Sequence, residues 1–170
     1  PESQWFQSAM EMVLTEAAFP DGSIERIRLS SELTHQDLNW RQADGNWTAS
    51  IEKAQTKWAS VTQSSLNGTI RPNQPSHEGS ETQLGPWKAI QDFALSFTLS
   101  TKDISGETFE AESLEIVADW KSPSLQFNKL SGTLYDGAVD LRGSLEVDTR
   151  KVELSGNFDF DVHRINHLLT

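Results

Sequence analysis

Cysteine is absent from all 170 residues, which removes at one stroke a disulfide framework, a thiolate metal site and a cysteine nucleophile. Cationic charge is sparse too: 14 Lys and Arg stand against 25 Asp and Glu, for a formal net charge of -11. Nucleic acids and anionic bilayer surfaces are held chiefly by clustered Lys and Arg, so nucleic acid is not among the expected partners. The acidic residues are scattered, with no long run of one sign, and read as a solvated face. No apolar run is long enough to span a bilayer as a helix, and none resembles the core of a secretory signal. The chain opens at Pro1, so the expectation is a segment of a larger extracytoplasmic protein whose targeting and anchoring parts lie outside it. A hydrophobic fraction of 36% implies a thin core for a chain of one-domain length.

What is present is periodicity. Trp5, Phe6, Ala9, Met10, Val13, Leu14 and Ala17 recur at helical spacing, Ser3 stands where a cap belongs, and Phe19-Pro20-Asp21-Gly22 follows as a stop; the pattern predicts an amphipathic helix over 3–18. After Gly22 the period becomes two. Ile27, Leu29 and Leu33 alternate with polar residues, as do Trp47, Ala49 and Ile51 after a turn expected at Asp44-Gly45, which is how strands buried on one side read. A polar stretch with Pro and Gly, Arg71 to Ser80, interrupts the array as a surface loop that Gly85-Pro86-Trp87 ends.

Alternation returns as Phe93, Leu95, Phe97 and Leu99, then Leu114, Ile116, Ala118 and Trp120. The last third is the clearest: Leu130, Gly132 and Leu134, the turn Tyr135-Asp136-Gly137, then Val139, Leu141, Gly143, Leu145 and Val147, then Val152, Leu154, Gly156, Phe158, Phe160 and Val162. Asp140, Arg142, Ser144, Glu146, Glu153, Ser155, Asn157 and Asp159 take the opposite parity. One apolar face and one wet face are the mark of antiparallel strands.

The predicted fold is therefore mainly β: a curved antiparallel one-sided sheet of about 8–10 strands, a groove or half-barrel, with an N-terminal helix and a short C-terminal helix. Its parts are a helical lead-in over 1–20, strand groups over 21–70 and 89–161, a polar loop over 71–88 and a terminal helix over 162–170. The residues expected to line the apolar face are Leu95, Phe97, Leu99, Ile116, Trp120, Leu134, Leu141, Leu145, Leu154, Phe158 and Phe160. Helices lying across that face would seal it; helices at its ends would leave it open.

A short motif, Leu-x-Gly-x-apolar, recurs from Leu66, Leu130, Leu141 and Leu154, each time with glycine on the apolar parity. A mid-strand glycine weakens a strand, so its recurrence means either relief of crowding beneath large neighbours or the floor of a ligand groove. The run Leu130-Ser131-Gly132-Thr133-Leu134-Tyr135-Asp136-Gly137-Ala138-Val139-Asp140-Leu141-Arg142-Gly143-Ser144-Leu145, with the strand from Val152 to Val162 and the closing apolar segment, resembles the C-terminal repeats of AsmA-like and TamB-like bacterial envelope proteins. The stretch Ile51 to Ile70 is similar in rhythm. The clear match covers about a quarter of the chain. It implies a periplasmic gutter, apolar inside, belonging to a protein anchored in the inner membrane. Phospholipid acyl chains or envelope proteins are its implied partners, and lipid transport or outer-membrane assembly its implied role; no catalytic residues come with it.

Enzymatic signatures are weak. His163 and His167 would share a helix face, but the residue after the first is Arg164, where a zinc protease carries its Glu. No Ser or Thr lies in a Gly-x-Ser-x-Gly elbow, and the glycines occur singly within strands, not in a phosphate-binding turn. No catalytic residue, metal or cofactor is therefore expected. Six Trp raise a second binding chemistry, stacking on sugars by Trp40, Trp47, Trp58 and Trp87. That reading requires several coplanar indoles on the polar face, whereas Trp47 and Trp120 carry the apolar parity.

Overall fold

A computed structural model describes residues 5–36, 39–73, 85–107, 110–134 and 137–159. They form nine strands: β1 (Trp5–Phe19), β2 (Gly22–Gln36), β3 (Asn39–Thr56), β4 (Ala59–Pro72), β5 (Phe93–Gly106), β6 (Glu110–Lys121), β7 (Ser124–Leu134), β8 (Gly137–Glu146) and β9 (Lys151–Asp159), with a short 3-10 helix, Gly85–Ile90, between β4 and β5. All nine lie in one antiparallel sheet in chain order, an open curved meander. The strands run from 9 to 18 residues, against about 5–6 in ordinary proteins. Period-two sequence with short connections, two residues in the β1–β2, β3–β4 and β6–β7 turns, leaves each strand's nearest partner in the chain as its partner in space, and the main packing contacts follow the same order.

The N-terminal helix does not form: Trp5–Phe19 is the first strand, paired with β2 in unbroken register from Trp5↔Gln36 to Phe19↔Gly22. Helix propensity gives way because β2 would otherwise be an edge with unpaired amides and an apolar row, Ile27, Leu29 and Leu33, lacking a neighbour. The misfit shows in the packing, since a helical spacing laid on a strand sends apolar side chains to both faces. Met10, Met12 and Leu14 take one side and Val13 and Phe19 the other, all of them exposed. The terminal helix expected over 162–170, and Phe160, lie outside the described residues.

Two cross-ties order the turns at one end of the sheet. The Lys57 amide donates to the Asp21 carbonyl at 3.0 Å, and the Lys57 ammonium meets the Asp21 carboxylate at 2.9 Å. A transverse band of left-handed backbone crosses the strands at Arg26, Gln63 and Asp103 (φ 44°, 49° and 48°), where the β4/β5 register also shifts. Non-glycine residues there carry bulge-type strain, and bulges bend sheets.

Among the described residues no second layer buries the sheet. Only Ala43, Ile104, Ala118, Trp120, Leu125 and Val147 are buried hydrophobics among the described residues. The accessible surface is 12082 Å², against about 8,400 Å² for a compact monomer of this mass.

Candidate apolar groove

Directly paired residues on antiparallel strands point to the same face, so the register assembles rows across the sheet. One row is apolar on all nine strands: Met12, Leu29, Ala49, Leu66, Leu99, Ile116, Leu130, Leu141 and Gly156. Beside it run Trp47, Gly68, Phe97, Ala118, Phe127, Gly143 and Leu154, and then Leu33, Gly45, Ile70, Leu95, Trp120, Leu125, Leu145 and Val152. A fourth row holds Leu14, Ile27, Ile51, Leu114, Val139 and Phe158. Its two polar members, Ser64 and Thr101, are buried and hydrogen-bond each other at 2.8 Å, which is what makes hydroxyls tolerable on an apolar face. Eight interstrand steps by four rows give a patch of about 38 by 20 Å, near 750 Å², above the roughly 300–600 Å² of the largest patch on a typical soluble monomer.

The second row shows why glycine recurs. Large side chains alternate with Gly or Ala from strand to strand, and a Cβ on Gly68 would fall 2.7 Å from the indole of Trp47. At Gly143 it would meet the Leu154 side chain at 2.7 Å and the Glu153 carbonyl at 2.1 Å. Of the two readings of the motif, crowding relief is the one the packing carries at both positions.

All ten described members of the predicted lining fall on this one face by pairing and alternation; Leu134 continues the side held by Leu130 and Gly132. They do not share one environment. Trp120 is buried, Leu95, Phe97, Leu99, Ile116, Leu134, Leu141 and Leu145 are half-buried, and Leu154 and Phe158 on the edge strand β9 are exposed. The lining also extends over β1 to β4, through Trp47 and Leu66 among others. Their alternation was visible in the sequence, but only register shows that both strand groups build one face.

Part of the groove is capped. The polar connection after β4 does not stay at the surface throughout: Trp87 of the 3-10 helix stacks on Trp120, with ring centroids 5.2 Å apart and planes at 26°. The Trp120 indole N–H donates to the Ile90 carbonyl at 3.0 Å, and Trp87 and Ile90 pack on the cluster of Ala118, Trp120, Leu125 and Val147. The returning chain is pinned by Asn73, whose amide donates to the Asp92 carbonyl at 2.8 Å and whose side chain donates to the Gln91 carbonyl at 3.2 Å. The cap sits at the Trp120 end. Among the described residues no other segment packs on the apolar face.

The opposite face is wet. The row behind the apolar one reads Arg28, Ser50, Ser65, Ser100, Glu115, Ser131, Asp140 and Asn157. Exposed pairs such as Arg26–Glu52 at 2.8 Å and Lys129–Glu115 at 2.5 Å decorate this side of the sheet. A shallow cavity of about 460 Å³ opens between its polar rows, walled by Asn46, Thr48, Thr69, Ser96 and Asp119. There the Ser96 hydroxyl and the Asn128 amide both donate to Asp119, with no histidine among the lining residues. On β9, a hydrogen bond from Lys151 at 2.6 Å, and then its charge, hold the Glu153 carboxyl below its ordinary pKa, while the same contact raises that of Lys151.

The tryptophans form no sugar-stacking platform among the described side chains. Trp47 and Trp120 belong to the apolar face, Trp87 is spent on Trp120, and Trp58 sits in the β3–β4 turn beneath the Lys57 ammonium. The side chain of Trp40 and the pair His163 and His167 lie outside the described residues, among which no His, Asp or Glu cluster could hold a metal ion. No described helix is long and apolar enough to cross a membrane. No protein-family model matches the chain, and no characterised protein or solved structure matches it either, so the geometry of the sheet is what speaks for function.

Proposed function

We propose that this chain is a non-enzymatic segment of a cell-envelope protein whose apolar sheet face shelters phospholipid acyl chains during lipid handling or outer-membrane assembly. The observation that carries the reading is the row from Met12 to Gly156, apolar on nine consecutive strands and flanked by parallel apolar rows. A face of that size in water is costly, and each methylene laid on it contributes about 0.8 kcal/mol. The acidic polar face keeps the segment in solution and away from anionic surfaces, which suits a periplasmic conduit belonging to a protein anchored in the inner membrane elsewhere. The cap at Trp120 closes the face at one end, and no other described segment packs on the rows over β1 to β4.

Native mass spectrometry of the purified chain, followed by lipid extraction, tests this, with Phe97→Asp and Leu141→Asp placing a carboxylate on the central rows. Co-purified phospholipid that is lost in folded variants is the expected result. A lipid-free wild-type chain that also takes up no phospholipid from vesicles overturns the reading. A scaffold role is the second reading, and one observation favours it: among the described residues no strand pairs with the outer side of β1 or β9.

A further inference from the structure

We propose a saccharide site on the polar face of the sheet, where a neutral oligosaccharide lies across β3 to β6 against the Asp119 carboxylate. The inference is independent of what occupies the apolar face.

The cavity of about 460 Å³ on that face is bounded by two polar rows that the register lays side by side. One runs through Asn46, Thr69, Ser96 and Asp119, the other through Thr48, Asn67, Thr98 and Val117. Apart from Asp119 and Val117, all of these side chains are amides or hydroxyls, which both give and accept hydrogen bonds. A sugar hydroxyl does the same. Among the described residues the side chains of Asn46, Asn67, Thr69 and Thr98 have no hydrogen-bond partner, so their bonding capacity is open. Val117 sets an aliphatic surface among them, suited to the C–H face of a ring.

Asp119 is more than one polar residue on a wet face. It is half-buried, and two neutral donors hold its carboxylate, the Ser96 hydroxyl and the Asn128 amide. A carboxylate has about four acceptor positions, so two donors fix it in place and leave others for a ligand's hydroxyls. Asn128 reaches it through a bulge: pairing steps from Val117↔Lys129 to Ala118↔Phe127, and Asn128 is the extra residue on β7. Bulges re-aim side chains and recur beside functional sites. This one brings an amide onto the carboxylate at the centre of the cavity wall.

The arrangement also selects the class of ligand. The rows advance about 4.8 Å per strand, comparable to the advance per ring of an extended oligosaccharide, so successive rings face successive strands. The one formal charge lining the cavity is negative, in a chain whose net charge is -11. Like-charge contact is costly, which turns away uronic acids and sugar phosphates. Hydrolysis of a glycosidic bond takes a pair of carboxylates, and among the lining residues Asp119 is the only one. The site binds and does not cleave.

Titration of the isotope-labelled chain with maltohexaose, cellohexaose and chitohexaose, read by amide chemical shifts, tests this. At least one of these neutral glycans is expected to move the amides of 46–48, 67–69, 96–98 and 117–119 together, and hexagalacturonate to move none. Asp119→Asn keeps the shape and removes the charge; it is expected to weaken binding about tenfold or more, the worth of a hydrogen bond to an ionised group. Thr98→Val removes one hydroxyl at nearly constant volume and should weaken binding about two- to tenfold. Ser131→Ala, on the same face outside the cavity, should bind as the wild-type chain does. Each variant's own amide spectrum reports its folding, so lost structure is not mistaken for lost binding. No shift with any of the neutral glycans, equal binding of hexagalacturonate, an affinity that Asp119→Asn leaves unchanged, or shifts confined to the Trp47 and Trp120 indoles of the apolar face overturns the proposal.

Discussion

Trp120→Ala is the perturbation whose size the structure fixes best. The side chain is 1% exposed; it stacks on Trp87 and donates its indole N–H to the Ile90 carbonyl at 3.0 Å. Truncating a buried Trp costs about 3–5 kcal/mol, and the middle of that range is expected here. With a urea slope of about 2 kcal/mol/M, a loss of about 4 kcal/mol moves the unfolding midpoint down by about 2 M. Circular dichroism is the right readout, because fluorescence changes with the Trp itself. Trp58→Ala is the control: Trp58 is 63% exposed, and its contact with the Lys57 ammonium at 4.4 Å is worth about 0.5–1 kcal/mol at such a site. Trp120→Phe keeps a ring for Trp87 but loses the donor, and should fall between the two. Midpoints for Trp120→Ala and Trp58→Ala that agree within error would refute the capped core.

Trp87→Ala removes the cap while leaving Trp120 in place, and should raise the fluorescence of an added acyl-chain probe above the wild-type level; an unchanged signal would mean the cap shields nothing a lipid can reach. Gly68→Val drives a side chain into the Trp47 indole and the Ser96 carbonyl, 2.7 and 2.8 Å from the first added carbon, and should cost at least the roughly 1–3 kcal/mol of an overpacked core, read by urea titration. Gln63→Gly relieves a left-handed residue (φ 49°) worth about 1–2 kcal/mol, offset by about 0.5–1 kcal/mol of added chain entropy, so a gain of up to about 1.5 kcal/mol is expected in thermal or urea unfolding. Lys151→Met should let the Glu153 carboxyl pKa rise back toward its ordinary value in an NMR titration, since the Lys151 hydrogen bond and charge hold it down. The accompanying change in melting temperature should be negligible, because exposed pairs are screened by water and salt.

How legible the fold was depends on the element. From Ile27 to Leu33, from Trp47 to Ile70 and from Phe93 to Asp159 the two-residue period states strand and face together, because a one-residue slip would turn every apolar side chain into water; Asp44-Gly45, which reads as a turn, lies instead inside β3, paired with Thr34 and Leu33. The stretch Trp5–Phe19 misleads for an equally physical reason. Its apolar spacing suits a helix, and the force that overrides it, the unpaired edge of β2, lies outside the segment. The turn-rich connection after Pro72 reads as surface, yet Trp87 leaves it to stack on Trp120. Nothing within the Gly85-Pro86-Trp87 stretch announces that partner.

By itself the sequence determined the class of the protein: a mainly β, curved antiparallel sheet with period-two alternation along its strands. Strand alternation is local, and local information suffices for it. Only the tertiary structure decided that β1 is a strand, that both strand groups share one apolar face nine strands wide, and that this face is capped at Trp120. Those are relations between segments distant in the chain, set by backbone hydrogen bonds and side-chain packing that no single stretch of residues encodes.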